Sequence, residues 1–471
     1  MQKDPYLLGN YSPVQSELTS SNLKVIGEIP KDLRGVFARN GANPKLEPKG
    51  RYHWFDGDGM IHAMHFEEGK ATYRNRWVRT PAIAAEEAAG HPLWTGIMEP
   101  PDLKNPRGPF KNTGNTDLVY SGNQLLALWW MCGEAFTIKL PELETTGIKR
   151  DGYGKPLLMT AHPKVDPITK ETMFIEFEPH YPYLHYMVLN AQGELAHKIP
   201  VALPGPRLQH DIAITQNYTI LMDLPMYNDP LMMKQGKTRV RFYRDQSSRF
   251  AVIPRYGSPT EIQWFNATPC YIYHTINAWE EGDEIVMLGC KIENPLFEDP
   301  SNPKDGKNYP RLGVLRLDPI FYQWRFNLKT GHTKETALDD VRNEFPRINN
   351  NYLGQKSRYS YNPRVAQSDT LQFDGVIKYD LQRDSSQTFE YPKGWFGGEV
   401  CFAPKTHAKH EDDGYLTTFA TNEASGESEL YIFDAAHFDR KPVARIQIPQ
   451  RVPTGYHSWW VSQEELDNQV D

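Results

Sequence analysis

The stretch YQWRFNLKTGHTKETAL, residues 322–338, sets an aromatic run against a Thr-rich one across Asn-Leu-Lys-Thr-Gly. Aromatic and β-branched side chains suit a pleated, half-buried strand, and Asn with Gly supplies the turn, so the stretch predicts two antiparallel strands. The same plan recurs in YMVLNAQGELAHKIPV (186–201) and VIKYDLQRDSSQTFEY (376–391). Further β-rich runs fill the intervals: QLLALWW (124–130), TMFIEFE (172–178), DIAITQNYTILMDL (211–224), DEIVMLGCKIE (283–293) and LYIFDAAHFDRKPVARIQI (430–448). Strand–turn–strand units repeating every 40–60 residues or so predict a β-propeller of roughly six to eight blades. A sandwich rarely needs 471 residues, and the strands do not alternate with helices as βαβ units would. The one clear helix is expected in PAIAAEEAAGHPLW (81–94), and no low-complexity linker divides the chain, so residues 1–471 read as a single domain.

Composition narrows the function. A net charge of −7, with no Lys/Arg cluster to override it, argues against a nucleic-acid partner. Cys132, Cys270, Cys290 and Cys401 are far apart and form no CxxC pair, which predicts buried thiols in a reducing compartment. MQKDPYLLGNYSPV at the start lacks the apolar core of a signal peptide, and no apolar run approaches the ~18 residues of a membrane span. A soluble, cytoplasmic protein is expected.

The histidines separate by setting. His91, His197, His332, His407, His410 and His437 fall in polar turns or helix ends. His53, His62 and His65 flank WFDGDGM (54–60), which reads as a tight turn feeding a strand with His62 and Met64 on one face, in preference to a metal loop. Four others share a pattern: His162 in MTAHPKVDP, His210 in LQHDIAIT, His274 in CYIYHTINAWEEGD and His457 in TGYHSWWV each sit at the start of a β-run or its approach. They are 48, 64 and 183 residues apart, close to one, one and three blades. Any one alone is an ordinary structural histidine. Together, at the inner strands of four blades, they would converge on the propeller axis as a metal centre.

Imidazole-only ligation suits Fe, Cu, Zn or Ni, without thiolate or carboxylate bound to the metal. Ligating histidines need an acceptor for the second ring N–H, usually a carboxylate. Glu344 in NEFPRINN and Glu399 in WFGGEVCF, set among apolar or Gly neighbours, are the candidates.

The segments GEIPKDLRGVFARNGANP (27–44), RYHWFDGDGMIHAMHF (51–66), TAHPKVDP, LQHDIAIT, NEFPRIN, GGEVCFAPK, EDDGYL and VPTGYHSWWV together resemble the carotenoid cleavage oxygenases, from about residue 5 to 461. The resemblance implies an all-β, seven-bladed β-propeller with helices and loops capping one face, the cap segments falling at about 81–112 and 225–237. It implies Fe(II) on the axis, held by His162, His210, His274 and His457, with Glu344 and Glu399 as the acceptors for His274 and His457. Thr116, in GNTDLVY, matches a residue that crowds the remaining coordination site. Members of the family split a C=C bond with O2 into two carbonyl products, with no organic cofactor.

One departure stands out. The family carries another glutamate directly after the LLAL strand, as partner for the histidine equivalent to His210; here LLALWWMCGEAF places Trp130 or Met131 there. Either Glu134 reaches back, or His210 uses water or a backbone carbonyl; losing such a partner costs about 10–100-fold in metal affinity or activity. Stilbene-cleaving members grip a phenol hydroxyl with a lysine and a tyrosine near this point. Trp129 and TGIMEP (95–100) lack both groups, which favours an apolar carotenoid or apocarotenoid over a stilbene or phenylpropanoid. Phe55, Trp94, Trp129 and Phe265 are expected to line the substrate tunnel. Leu231, Met232 and Met233, beside lysines in PMYNDPLMMKQGK (225–237), are expected to touch a membrane surface peripherally. Competing readings are a retinoid-type isomerase, a zinc hydrolase and a non-catalytic binding propeller.

Overall fold

Residues 322–327 and 333–338 lie in the strands Ile320–Asn327 and Thr333–Arg342, which pair antiparallel with Trp324 opposite Glu335 and Phe326 opposite Thr333. Gly331, at φ 71°, makes the left-handed turn between them. Trp324 and Phe326 are buried on one face of the first strand while Gln323, Arg325 and Asn327 between and beside them are half-exposed, and Phe321 is buried on the opposite face in a separate cluster. The computed structural model describes residues 4–234, 239–297 and 309–470.

Seven antiparallel sheets, each built largely from consecutive strands, form a seven-bladed propeller, as the resemblance implied. Two long-range pairings close the ring. Gly35–Arg39 pairs with Ser458–Ser462, so the first and last parts of the chain share one blade. Val25–Gly27 adds to Ala444–Ile448 at the outer edge of the neighbouring blade. Strands of adjacent blades meet at Cys401–Pro404 against Ser458–Ser462, at that strand against Asp117–Ser121, and at Ala213–Ile214 against Tyr271–Glu281.

Apolar side chains fill the spaces between blades. Phe250, Phe265, Trp324 and Phe326 form one such cluster, each essentially inaccessible and worth about 1.5–3 kcal/mol of burial. Phe265 is therefore a core residue, not a tunnel residue: its register opposite Phe250 turns it toward Phe326, with ring centroids 5.2 Å apart.

The helix foreseen over 81–94 is shorter, Pro81–Ala89. Thr80 caps it by accepting from the Ile83 amide, and Gly90 ends it at φ 71°. Lys111 ties this cap helix to the 54–60 turn by pairing with both Asp58 and Glu86 at 2.6 Å. That turn is structural. Asp56 accepts from the His53 and Ile97 amides, and His62 Nδ1 meets the Tyr73 hydroxyl at 2.8 Å. Three cysteines are buried, while Cys132 is only half-buried. A short helix, Pro230–Lys234, exposes Leu231 and half-buries Met232; the Met233 side chain and residues 235–237 lie outside the described residues. Among the described residues no helix is long and apolar enough to cross a membrane.

Candidate metal centre

His162 lies two residues before Lys164–Val165, His210 three before Ala213–Ile214, His274 inside Tyr271–Glu281, and His457 directly before Ser458–Ser462. All four are buried, and their rings gather. Centroids are 4.4 Å apart for His162 and His457, 4.6 Å for His274 and His457, and 4.8 Å for His162 and His210. The Nε2 atoms of His210 and His274 face each other at 3.3 Å, and the His162 Nε2 is buried without a partner. His162, His210 and His274 each offer a nitrogen within 4.8 Å of the others.

Carboxylates stand behind three of the rings. Glu344 Oε2 meets His274 Nδ1 at 2.5 Å, Glu399 Oε1 meets His457 Nδ1 at 2.8 Å, and Asp117 Oδ2 meets His162 Nδ1 at 3.0 Å. The first two contacts follow the sequence reading; the third was missed. Asp117 opens the strand Asp117–Ser121, all of whose residues are buried. Arg347 was missed too, and it donates to Glu399 Oε2 at 2.8 Å and to the Ser458 carbonyl at 2.8 Å.

Burial dominates the electrostatics. It holds His210, His274 and His457 well below the ordinary imidazole range, with His162 nearby adding to the effect, so these rings are neutral and their lone pairs free. Burial also raises Glu344 to about 8 and raises Glu399, against the opposing pull of Arg347. Acids this reluctant to ionise, packed behind neutral rings whose nitrogens point at each other, make a donor set that fits a cation.

Glu134 does not reach His210. It pairs in a two-residue strand opposite Leu158, and its carbonyl accepts from Asn112. Among the described residues no carboxylate is bonded to His210, and the neighbouring Asp211 is turned away to Lys164 and Thr275. The Thr116 hydroxyl is taken up by Asn115 and the Trp130 amide, leaving its methyl as the part free to crowd a neighbour.

His210 lines a cavity of about 590 Å³ with Phe55, Trp130, Met131, Leu208 and Tyr273, within the usual range for a ligand site. Trp94 and Trp129 line a smaller recess of about 60 Å³ under the cap, which shares Phe55 and Trp130 with the large cavity. The other three histidines do not border the large cavity; His162, His274 and His457 line a polar one of about 50 Å³ with Asp117, Lys164 and Arg347.

His53 also borders the large cavity, its Nδ1 accepting from the Phe55 amide at 3.2 Å. Burial pushes it down to about 3. A depressed imidazole stabilises the fold fully above the unfolded value near 6.5 and loses that contribution as pH falls toward 3. By pH 5 the loss is about 2 kcal/mol. His53→Asn keeps an acceptor for the Phe55 amide but cannot titrate. Between pH 7 and pH 5, denaturant melts of metal-free protein should show the wild type losing about 2 kcal/mol more than the variant. Equal losses would refute the assignment.

Known proteins share this architecture. The retinal pigment epithelial membrane protein family model matches residues 11–462. A carotenoid 9,10(9',10')-cleavage dioxygenase of Crocus sativus is 37% identical, covering 98% of this chain and 90% of its own length. A lignostilbene dioxygenase of Pseudomonas brassicacearum superposes with a TM-score of 0.88 at 27% identity, over 98% of this chain and 99% of that one. A cobalt-substituted apocarotenoid oxygenase of Synechocystis does so with a TM-score of 0.83 at 25% identity, over 96% and 98%. With the propeller complete and the likeness running through almost its whole length, this chain belongs to the family of the retinal pigment epithelial membrane protein and the carotenoid cleavage oxygenases.

Proposed function

We propose that the chain is a non-haem iron dioxygenase that cleaves a C=C bond of an apolar conjugated substrate, a carotenoid or apocarotenoid, into two carbonyl products. One observation carries the reading: four buried imidazoles converge, three backed by carboxylates, and the fourth opens onto a largely apolar cavity. A ferrous ion held by His162, His210, His274 and His457 would supply the centre at which O2 is activated, and the cobalt-substituted relative supports a divalent cation there.

The chain's own groups supply geometry. Glu344, Glu399 and Asp117 accept from Nδ1–H and so keep each Nε2 lone pair directed inward. Phe55, Trp130, Met131 and Tyr273 exclude water and lay a flat polyene beside His210. Both oxygen atoms of O2 end in the products, one on each carbon of the cleaved bond, so the reaction needs no external reductant and no acid–base residue.

The Crocus sativus relative and the apolar lining support a carotenoid-type substrate. A stilbene or phenylpropanoid is the second reading, supported by the likeness to the lignostilbene dioxygenase. Iron-loaded protein would be mixed anaerobically with apocarotenoids, carotenoids, stilbenes and styrenes, and ¹⁸O2 then admitted. Label in both carbonyl products of a polyene is the expected result. Aromatic aldehydes from stilbenes alone would favour the second reading. An isomerised product without label, or no product from iron-replete protein, would overturn both.

A further inference from the structure

We propose that Asp117 is a positioning residue that fixes His162 as a metal ligand, and that His210 is the one ligand whose second nitrogen no carboxylate holds. The inference rests on the four imidazoles being metal ligands. The resemblance supplied Glu344, Glu399 and the gap at His210; the hold of Asp117 on His162 comes from the fold.

The blades explain the pattern. Following the chain, the innermost strands begin near Asp117, His162, His210, His274, Glu399 and His457, and in the remaining blade Glu344 sits in a segment bridged to Tyr359–Val365 through Asn343 and Arg347. Four blades bring an imidazole and three bring a carboxylate. Each carboxylate reaches an imidazole on the adjoining blade: Asp117 to His162, Glu344 to His274, and Glu399 to His457. The blade carrying His210 is flanked by the blades of His162 and His274, so no carboxylate-bearing blade adjoins it. Trp130 and Met131 stand where the family carries a glutamate for this ring, which leaves His210 without a carboxylate, and it is His210 that borders the large cavity.

Asp117 does more than touch a ring. Its Oδ2 accepts from both the His162 backbone amide at 3.1 Å and the His162 Nδ1 at 3.0 Å, while Oδ1 accepts from the Leu118 amide at 2.8 Å. His162 holds φ at +66°, a left-handed conformation unfavourable for a residue with a Cβ. The double bond to one oxygen holds that backbone and sets the Nδ1–H tautomer, leaving the partnerless Nε2 to face the other rings. All these groups donate to Asp117, so an asparagine would have to turn its amide N–H toward another N–H.

The test uses cobalt(II) as the probe. In the cobalt-loaded wild type, proton NMR should show hyperfine-shifted imidazole N–H signals, three of them exchanging slowly with water and the fourth, from His210, rapidly. Only two slow signals would overturn the proposal without any variant being made. Asp117→Asn should lose one slow signal and weaken cobalt binding in chelator competition by about 10–100-fold. Asp117→Glu, which keeps the charge, should recover part of that affinity. An Asn variant that binds cobalt like the wild type, with all slow signals intact, would overturn the proposal while leaving the metal centre standing. Wild-type protein that takes up no cobalt would instead remove the metal centre, and the proposal with it.

Discussion

His274→Ala is expected to abolish stable iron retention and to lower turnover by about 10³-fold or more, equivalent to about 4 kcal/mol of lost transition-state stabilisation. His274 is the ring most tightly integrated into the cluster. Its Nε2 faces that of His210 at 3.3 Å, its Nδ1 meets Glu344 at 2.5 Å, and its ring packs on Phe345 at a centroid distance of 5.1 Å. Alanine removes a nitrogen from the donor set and strands Glu344 in a buried site. Since burial already raises Glu344 to about 8, it would take up a proton at neutral pH and survive as a neutral acid. The variant should therefore fold, and iron per chain after chelator challenge, measured beside turnover, reads the centre itself. Iron content and turnover within a few-fold of wild type would contradict the role given to His274.

Arg347→Met should destabilise the metal-free protein by about 3–5 kcal/mol, the usual cost of removing one partner from a buried ion pair. Arg347 is largely buried, and its only bonded acceptors among the described residues are the fully buried Glu399 and the Ser458 carbonyl. Methionine fills much of the same volume, so the effect isolates charge from packing. Glu399 also accepts from the Ser458 amide and hydroxyl and from His457 Nδ1. Without the arginine, burial would drive Glu399 further toward protonation and weaken its hold on His457. Denaturant titration of folded, metal-free protein checks the first effect and chelator competition the second. A loss below about 1 kcal/mol would place the pair among solvent-screened surface contacts.

The histidines were legible because a polar ring at the entry to a strand is conspicuous, and because their separations repeat the length of a blade. Glu344 and Glu399 stood out for a related reason, as acids among Phe, Pro, Gly and Val. Asp117 did not, because Asp beside Asn and Thr ahead of a strand has the composition of an ordinary turn. Only the fold brings its Oδ2 to His162. Phe265 failed for a different reason. In the half-buried strand Gln263–Ala267 an aromatic can face either a cavity or a neighbouring blade, and the register opposite Phe250 decides that. The blade count was likewise open from spacing alone. Seven becomes fixed once residues 35–39 pair with 458–462 and residues 25–27 with 444–446, contacts that no local periodicity carries. The missing partner of His210 was visible as Trp130 and Met131, and the fold adds that Glu134 and Asp211 are engaged elsewhere.

Iron K-edge X-ray absorption on anaerobically purified protein, with metal content measured on the same sample, tests the central claim most directly. A single ferrous ion per chain, with a first shell of nitrogen and oxygen at about 2.1 Å and the multiple-scattering pattern of four imidazoles, is the result predicted. Sulfur in the first shell, fewer than three imidazoles, or zinc in place of iron would contradict it.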